Sequence, residues 1–184
     1  MMSTVKWDVK VIMSEHSPYI NSLAGEYQRL QGVIHSFGTT VPLPPEALLE
    51  FWRNVVLKTN QIFVEGFSSA KKCSNEGRAL MLLDFQNFAI KVEGITGLKP
   101  IPGREYVVNY INAFYLSEAA LEEWLKEHQE YTQRQLRNLI TCGTGSHIGK
   151  KMKEKFLGLL SEVEGSTNIN KGGSPGGKGS PGNK

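Results

Sequence analysis

From Ile20 onward, apolar residues return every three or four positions: Leu23, Tyr27, Leu30, Ile34 and Phe37. That spacing places them along one face of a helix. Ser17 followed by Pro18 predicts the start, with Ser as N-cap and Pro at the first helical position. A short helical segment is predicted ahead of it, around positions 8–13. Gly38 and the run Val41-Pro-Leu-Pro-Pro45 end the helix and restart the chain. Pro45 and Glu46 suit a first turn, which tolerates Pro and favours negative charge. The helix that follows, about 45–70, is apolar nearly all round, with Leu48, Leu49, Phe51, Trp52, Val55, Val56, Ile62, Phe63, Val64 and Phe67. Such a pattern predicts a central, buried helix.

Ser74 can cap a third helix running to about position 92. Its polar stripe is Asp84, Asn87 and Lys91, and the rest is core-like. Gly94, Gly97, Pro100, Pro102 and Gly103 predict a loop. A short helix follows at about 104–115, with Val107, Ile111 and Phe114 on one face. From Ser117, one long amphipathic helix is predicted, because Leu121, Leu125, His128, Thr132, Gln135 and Leu139 keep heptad spacing. Gly143 and Gly145 end it. A last helix, about 146–163, aligns Ile148, Met152, Leu159 and Val163. No strand-type alternation or hairpin signal interrupts these patterns. The fold class is therefore all-α, a bundle of about six helices with mostly short connections.

Composition divides the chain in two. Residues 165–184 hold seven of the 19 glycines, three lysines and no acid, in a near-exact hexapeptide repeat. Glycine recurs there every third position, but over too few triplets for a triple helix, so a disordered tail is expected. Residues 1–164 form one domain with 18 basic and 18 acidic residues, so the net +3 belongs wholly to the tail. A balanced body lacks the clustered Lys/Arg excess of a nucleic-acid binder. No stretch reaches the ~20 apolar residues of a membrane span. Nor does the N-terminus carry a basic and then apolar leader, since Trp7, Asp8 and Lys10 interrupt it. Cys73 and Cys142 read as two reduced thiols, which together with these absences points to a cytosolic or membrane-peripheral protein.

The search for chemistry yields little. Gly143-Thr-Gly-Ser-His-Ile-Gly-Lys150 looks like a phosphate loop but fails on spacing. A Walker loop needs Gly where Thr144 stands, and a dinucleotide loop needs Gly where Ile148 stands. Helix caps explain the segment. His16, His35, His128 and His147 are dispersed, so no metal or cofactor is expected. His128 fits a helix seam as a half-buried structural residue. Cys73, after Lys71-Lys72 and before a helix start, is placed for a lowered thiol pKa but has no base partner. Arg78, on a buried-looking helix, is expected to pair with Glu46, Glu50 or Asp84. Lys150, Lys151, Lys153 and Lys155 form a basic helix face. It reads as a solvated face or as a contact for anionic membrane or an acidic peptide. Tyr106, Tyr110 and Tyr115 are candidates for a partner surface if exposed, and for packing if not.

Several motifs resemble a known family. Lys6-Trp7-Asp8, Val41-Pro-Leu-Pro-Pro-Glu46, Val64-Glu-Gly66, Leu83-Asp-Phe-Gln-Asn-Phe88, Pro100-Ile-Pro102 and Ala113-Phe-Tyr-Leu116 are similar to the syndetin C-terminal domain. So are Trp124-Leu-Lys-Glu-His128 and Gly145-Ser-His-Ile-Gly-Lys-Lys151. The most specific block is Lys71, Lys72, Cys73, Ser74, Asn75, Glu76, Gly77 and Arg78, continuing through Ala-Leu-Met81. The resemblance spans roughly residues 6–160. It implies a helical-rod domain of a multisubunit vesicle tether, without catalytic residues. Syndetin distinguishes the endosome-associated recycling protein complex (EARP) from the Golgi-associated retrograde protein complex (GARP). The implied partners are the subunits those complexes share and SNARE proteins. The implied place is peripheral, on recycling endosomes or trans-Golgi membranes, in return of endocytosed cargo to the plasma membrane. A full syndetin subunit has a long N-terminal coiled-coil region, so a chain of 184 residues is expected to be a fragment or a stand-alone product. The glycine-rich tail lies outside the family pattern.

Overall fold

A computed structural model describes residues 5–143 and 148–169. Seven α-helices follow one another there: α1 (Tyr19–Thr40), α2 (Pro45–Ser68), α3 (Asn75–Thr96), α4 (Arg104–Asn112), α5 (Glu118–Glu127), α6 (Gln133–Asn138) and α7 (Lys150–Ile169). A 3-10 turn, Ala113–Tyr115, extends α4, and a wider π-type turn, Leu139–Gly143, extends α6. No strand occurs among the described residues. The all-α bundle expected from the pattern is what the chain forms. Residues 170–184, most of the expected tail, and the segment 144–147 with His147 lie outside the described residues.

The core is aromatic. Phe63 sits at its centre, with ring centroids 5.6 Å from Phe67, 5.4 Å from Phe85 and 4.8 Å from Phe88. Tyr27 joins α1 to this cluster by stacking on Trp52 and meeting Phe88 edge to face. Offset and edge-to-face pairs of this kind add to the area each ring buries. α3 crosses α1, α2 and α4 and is the central helix. It ends at Gly97, whose φ of 75° makes the left-handed cap that L-residues avoid.

Several expectations are corrected. The second helix is not buried all round: Leu49, Phe51, Leu57 and Ile62 are exposed, because α2 packs one side against α3, α4 and α6 and leaves the other to solvent. The stripe of α1 is buried at Ile20 and Tyr27 but 66% exposed at Phe37. The end of α1 carries the pattern past the last helix that could cover it. The single helix expected after Ser117 is two, α5 and α6. His128 leaves helical geometry at φ −97°, ψ 66°, and Thr132 starts α6 with a capping box through Gln135. Reciprocal side-chain bonds at a helix start satisfy donors that a continuous helix would bond to its own carbonyls, so the box favours a break. The segment expected as helical around 8–13 has no helix, for a reason given below.

Asp84, read as part of a polar stripe, is fully buried. Its Oδ1 accepts the Ser17 N–H at 2.6 Å, at the threshold of α1, where a negative charge meets the positive end of the helix dipole. Its other oxygen has no hydrogen-bond partner. Burial raises its pKa above the ordinary 3.8, and Ser17, Tyr19 and His16 beside it oppose that only in part. The folded state therefore binds this proton more tightly than the unfolded chain does. The contribution of this group to stability is full below the ordinary carboxylate value and is lost as pH rises through the elevated one. Asp84→Asn keeps the acceptor for Ser17 and removes the titration. The melting temperature of the parent relative to the variant is expected to drop as pH rises across the acidic range. Parallel curves would remove Asp84 as the cause.

Candidate functional site

The block 71–78 folds as the connection from α2 to α3 and the first turn of α3, and the chain's N-terminal segment lies across it. Ser74 is the joint. Its hydroxyl accepts the Gly77 N–H at 3.0 Å, which caps α3. The same hydroxyl donates to the Val9 carbonyl at 2.6 Å, and the Ser74 N–H donates to the Trp7 carbonyl at 3.0 Å. Those carbonyls, two residues apart, both turn to Ser74. That is why the segment is extended rather than helical: the groups a helix turn would use internally are bonded elsewhere.

Gly77 makes the approach possible. A Cβ there would lie 1.7 Å from the Trp7 carbonyl oxygen, far inside contact distance. The indole of Trp7 is 3% exposed and meets Phe67 edge to face at 5.4 Å. Two motifs about 65 residues apart in sequence thus form one structural unit. Sequence reasoning found both but had no signal that they touch.

Arg78 follows at once and contradicts the expected ion pair. It is 2% exposed, and its two terminal nitrogens have no hydrogen-bond partner. The guanidinium carbon lies 3.1 Å from the centroid of the Phe114 ring, a cation–π contact. Glu46 and Glu50 are exposed on α2, and Asp84 faces Ser17 instead. Desolvation lowers the Arg78 pKa to about 10, and nearby Cys73, Tyr115 and Tyr110 hold it from falling further. The Cys73 thiol is pushed up by burial, with Arg78 opposing only in part, so the lowered thiol expected from Lys71-Lys72 is overturned. Both side chains of those lysines are exposed while the sulfur is half-buried. Cys73 and Cys142, both free, line one narrow crevice with Tyr110 and Phe114.

The other sequence candidates scatter. Tyr110 is fully buried and donates to the Gln135 carbonyl at 2.9 Å, so it cannot belong to a surface. Tyr106 is half-buried and stacked on Tyr131. Tyr115 alone is exposed, at 54%. His128 is half-buried, stacked near Trp124 and 2.6 Å from Glu130, as a structural histidine would be. On α7, Lys150 and Lys151 are exposed, Lys153 is half-buried, and Lys155 is paired to Glu122 at 2.7 Å. Glu122 also holds Lys126 at 3.1 Å. The basic face of the last helix is thus neutralised at one end. No group of three metal-ligating side chains occurs among the described residues, and no helix there is long and apolar enough to cross a membrane.

The packing of Lys6-Trp7-Asp8 against the 71–78 block brings two of the stretches that resemble a known family into one place, and comparison with known proteins shows the family. The family described as "Syndetin, C-terminal" matches residues 1–161. The chain belongs to the syndetin C-terminal family. Syndetin of Mus musculus is 43% identical over 164 residues, which cover 89% of this chain and 17% of the mouse protein. Syndetin of Rattus norvegicus and that of Gallus gallus are 43% identical over the same length and shares. The chain therefore spans about one sixth of the length of these syndetins. No solved structure matches it. In this fold Ser74 and Gly77 fix the contact of the 71–78 block with the N-terminal segment, and Arg78 packs against Phe114.

Proposed function

We propose that this chain is a non-enzymatic helical module of a vesicle-tethering subunit. It would act in endocytic recycling from endosomes to the plasma membrane, with the subunits shared by EARP and GARP and with SNARE proteins as partners. Its place would be cytoplasmic, peripheral on recycling endosomes or trans-Golgi membranes. The observation that carries this reading is the family match over residues 1–161, nearly the whole folded body. A bundle of packed helices suits the task, since a rigid α-helical rod spans distance and presents side chains along its length.

The test is a replacement in the mouse relative. Removing its matching segment is expected to slow the return of internalised cargo to the cell surface. Grafting residues 1–164 of this chain in its place is expected to restore the rate. Unchanged recycling after the removal would overturn the proposal.

A further inference from the structure

We propose that the cleft between the N-terminal segment and the α2–α3 connection docks an acidic, extended peptide segment of a partner protein. The cleft has a volume of about 670 Å³, with Lys6, Trp7 and Asp8 on one wall and Ala70, Lys71 and Lys72 on the other. Three ammonium groups against one carboxylate leave it positively charged. None of these lysines has an ion-pair partner among the described residues, unlike Lys126 and Lys155, which Glu122 holds. A concave site lined by one sign of charge focuses its field and attracts the opposite sign.

The walls are fixed before any partner arrives. Ser74 bonds the carbonyls of Trp7 and Val9, and Trp7 is anchored on Phe67. Preorganisation of this kind lowers the ordering cost of binding. The segment is extended, and exposure alternates along it: Lys6 exposed, Trp7 buried, Asp8 exposed, Val9 half-buried, Lys10 exposed. Trp7 and Val9 turn their carbonyls inward to Ser74. Lys6 and Asp8 make no backbone–backbone hydrogen bond among the described residues. Their peptide groups form an unpaired edge of the sort an extended peptide adds to. A concave cleft with an open backbone edge fits a peptide better than a flat lipid surface. The cleft's charge and edge belong to the fold itself, so this docking stands or falls separately from a role in tethering.

The experiment is fluorescence anisotropy of a labelled Glu-Asp-Leu-Glu-Asp-Leu-Glu peptide titrated with the full chain. Saturable binding that weakens as salt is added is expected. Lys71→Glu with Lys72→Glu is expected to reduce affinity by about tenfold or more, and Lys6→Glu by a smaller factor. Lys150→Glu with Lys151→Glu is expected to leave affinity unchanged. Both Lys71 and Lys72 are exposed, and an unaltered melting temperature confirms that the variants fold. Absence of saturable binding overturns the proposal. So does equal loss in the Lys150/Lys151 variant, or equal binding of a peptide with Lys in place of each acid. Binding only to phosphatidylcholine–phosphatidylserine vesicles, lost on reversal at Lys71 and Lys72, would reassign the cleft to lipid.

Discussion

Gly77→Ala is expected to destabilise the domain by about 3–5 kcal/mol, the cost of removing a buried Trp from a core. The added methyl would lie 1.7 Å from the Trp7 carbonyl oxygen, so one of the two backbones must move. α3 is held by the central aromatic cluster, whereas the N-terminal segment is held by the Ser74 bonds and the Trp7 ring. The segment is the part that gives way. Its displacement exposes Trp7 and strands the Val9 and Trp7 carbonyls away from Ser74. Urea unfolding of Gly77→Ala, Trp7→Ala and the double variant measures this. The double variant is expected to be little worse than either single one, since both break the same joint and neighbouring effects do not add. Full additivity, or a Gly77→Ala variant within about 0.5 kcal/mol of the parent, the range of ordinary surface substitutions, would show that the chain relieves the clash some other way.

Arg78→Met is expected to raise stability, by about 1–3 kcal/mol. A buried guanidinium with no hydrogen-bond partner for its terminal nitrogens carries a large desolvation cost, while a cation–π contact returns only ~2 kcal/mol when desolvated. Met has similar reach, no charge to bury, and a sulfur that packs well against an aromatic edge such as that of Phe114. Thermal unfolding monitored by circular dichroism is the measurement. A loss greater than about 1 kcal/mol would show that the charge is held by an interaction strong enough to offset its burial. If stability rises, the positive charge is a cost borne by the core. It would then add to the field around Cys73, one residue on from the Lys72 wall of the cleft.

The helical register of the chain was legible because apolar spacing survives in single elements. α1, α3 and α4 lie close to where three-and-four periodicity places them, and Ser74 caps α3 as its sequence position suggests. What periodicity could not carry was which faces meet. The apolar girth of α2 predicted burial, but Ile62 and Phe51 face outward because only the side of α2 that carries Phe63 meets other helices. Asp84 and Arg78 are both visible as charges on a core-like helix, and the sequence offers Glu46, Glu50 or Asp84 as the partner of Arg78. The fold sends them to opposite tasks, one to a helix start and the other to an aromatic ring, by contacts 36 to 67 residues away in sequence. The break at His128 was hidden because heptad spacing continues across it, and only the Thr132–Gln135 capping box betrays it. The docking of Trp7 on Gly77 was out of reach for the same reason. A glycine in a helix reads as a weak point until the backbone beside it is known.

The joint at Ser74 also orders events in time. During synthesis Trp7 emerges long before its seat exists, because Ser74 and Gly77 are made about 70 residues later. At the usual ~5–20 residues per second, that is a wait of roughly 4–14 s. Through that interval the indole and the extended segment have no place to bind. Trp7 and the segment around it are thus made early in this domain but secured only when α3 appears.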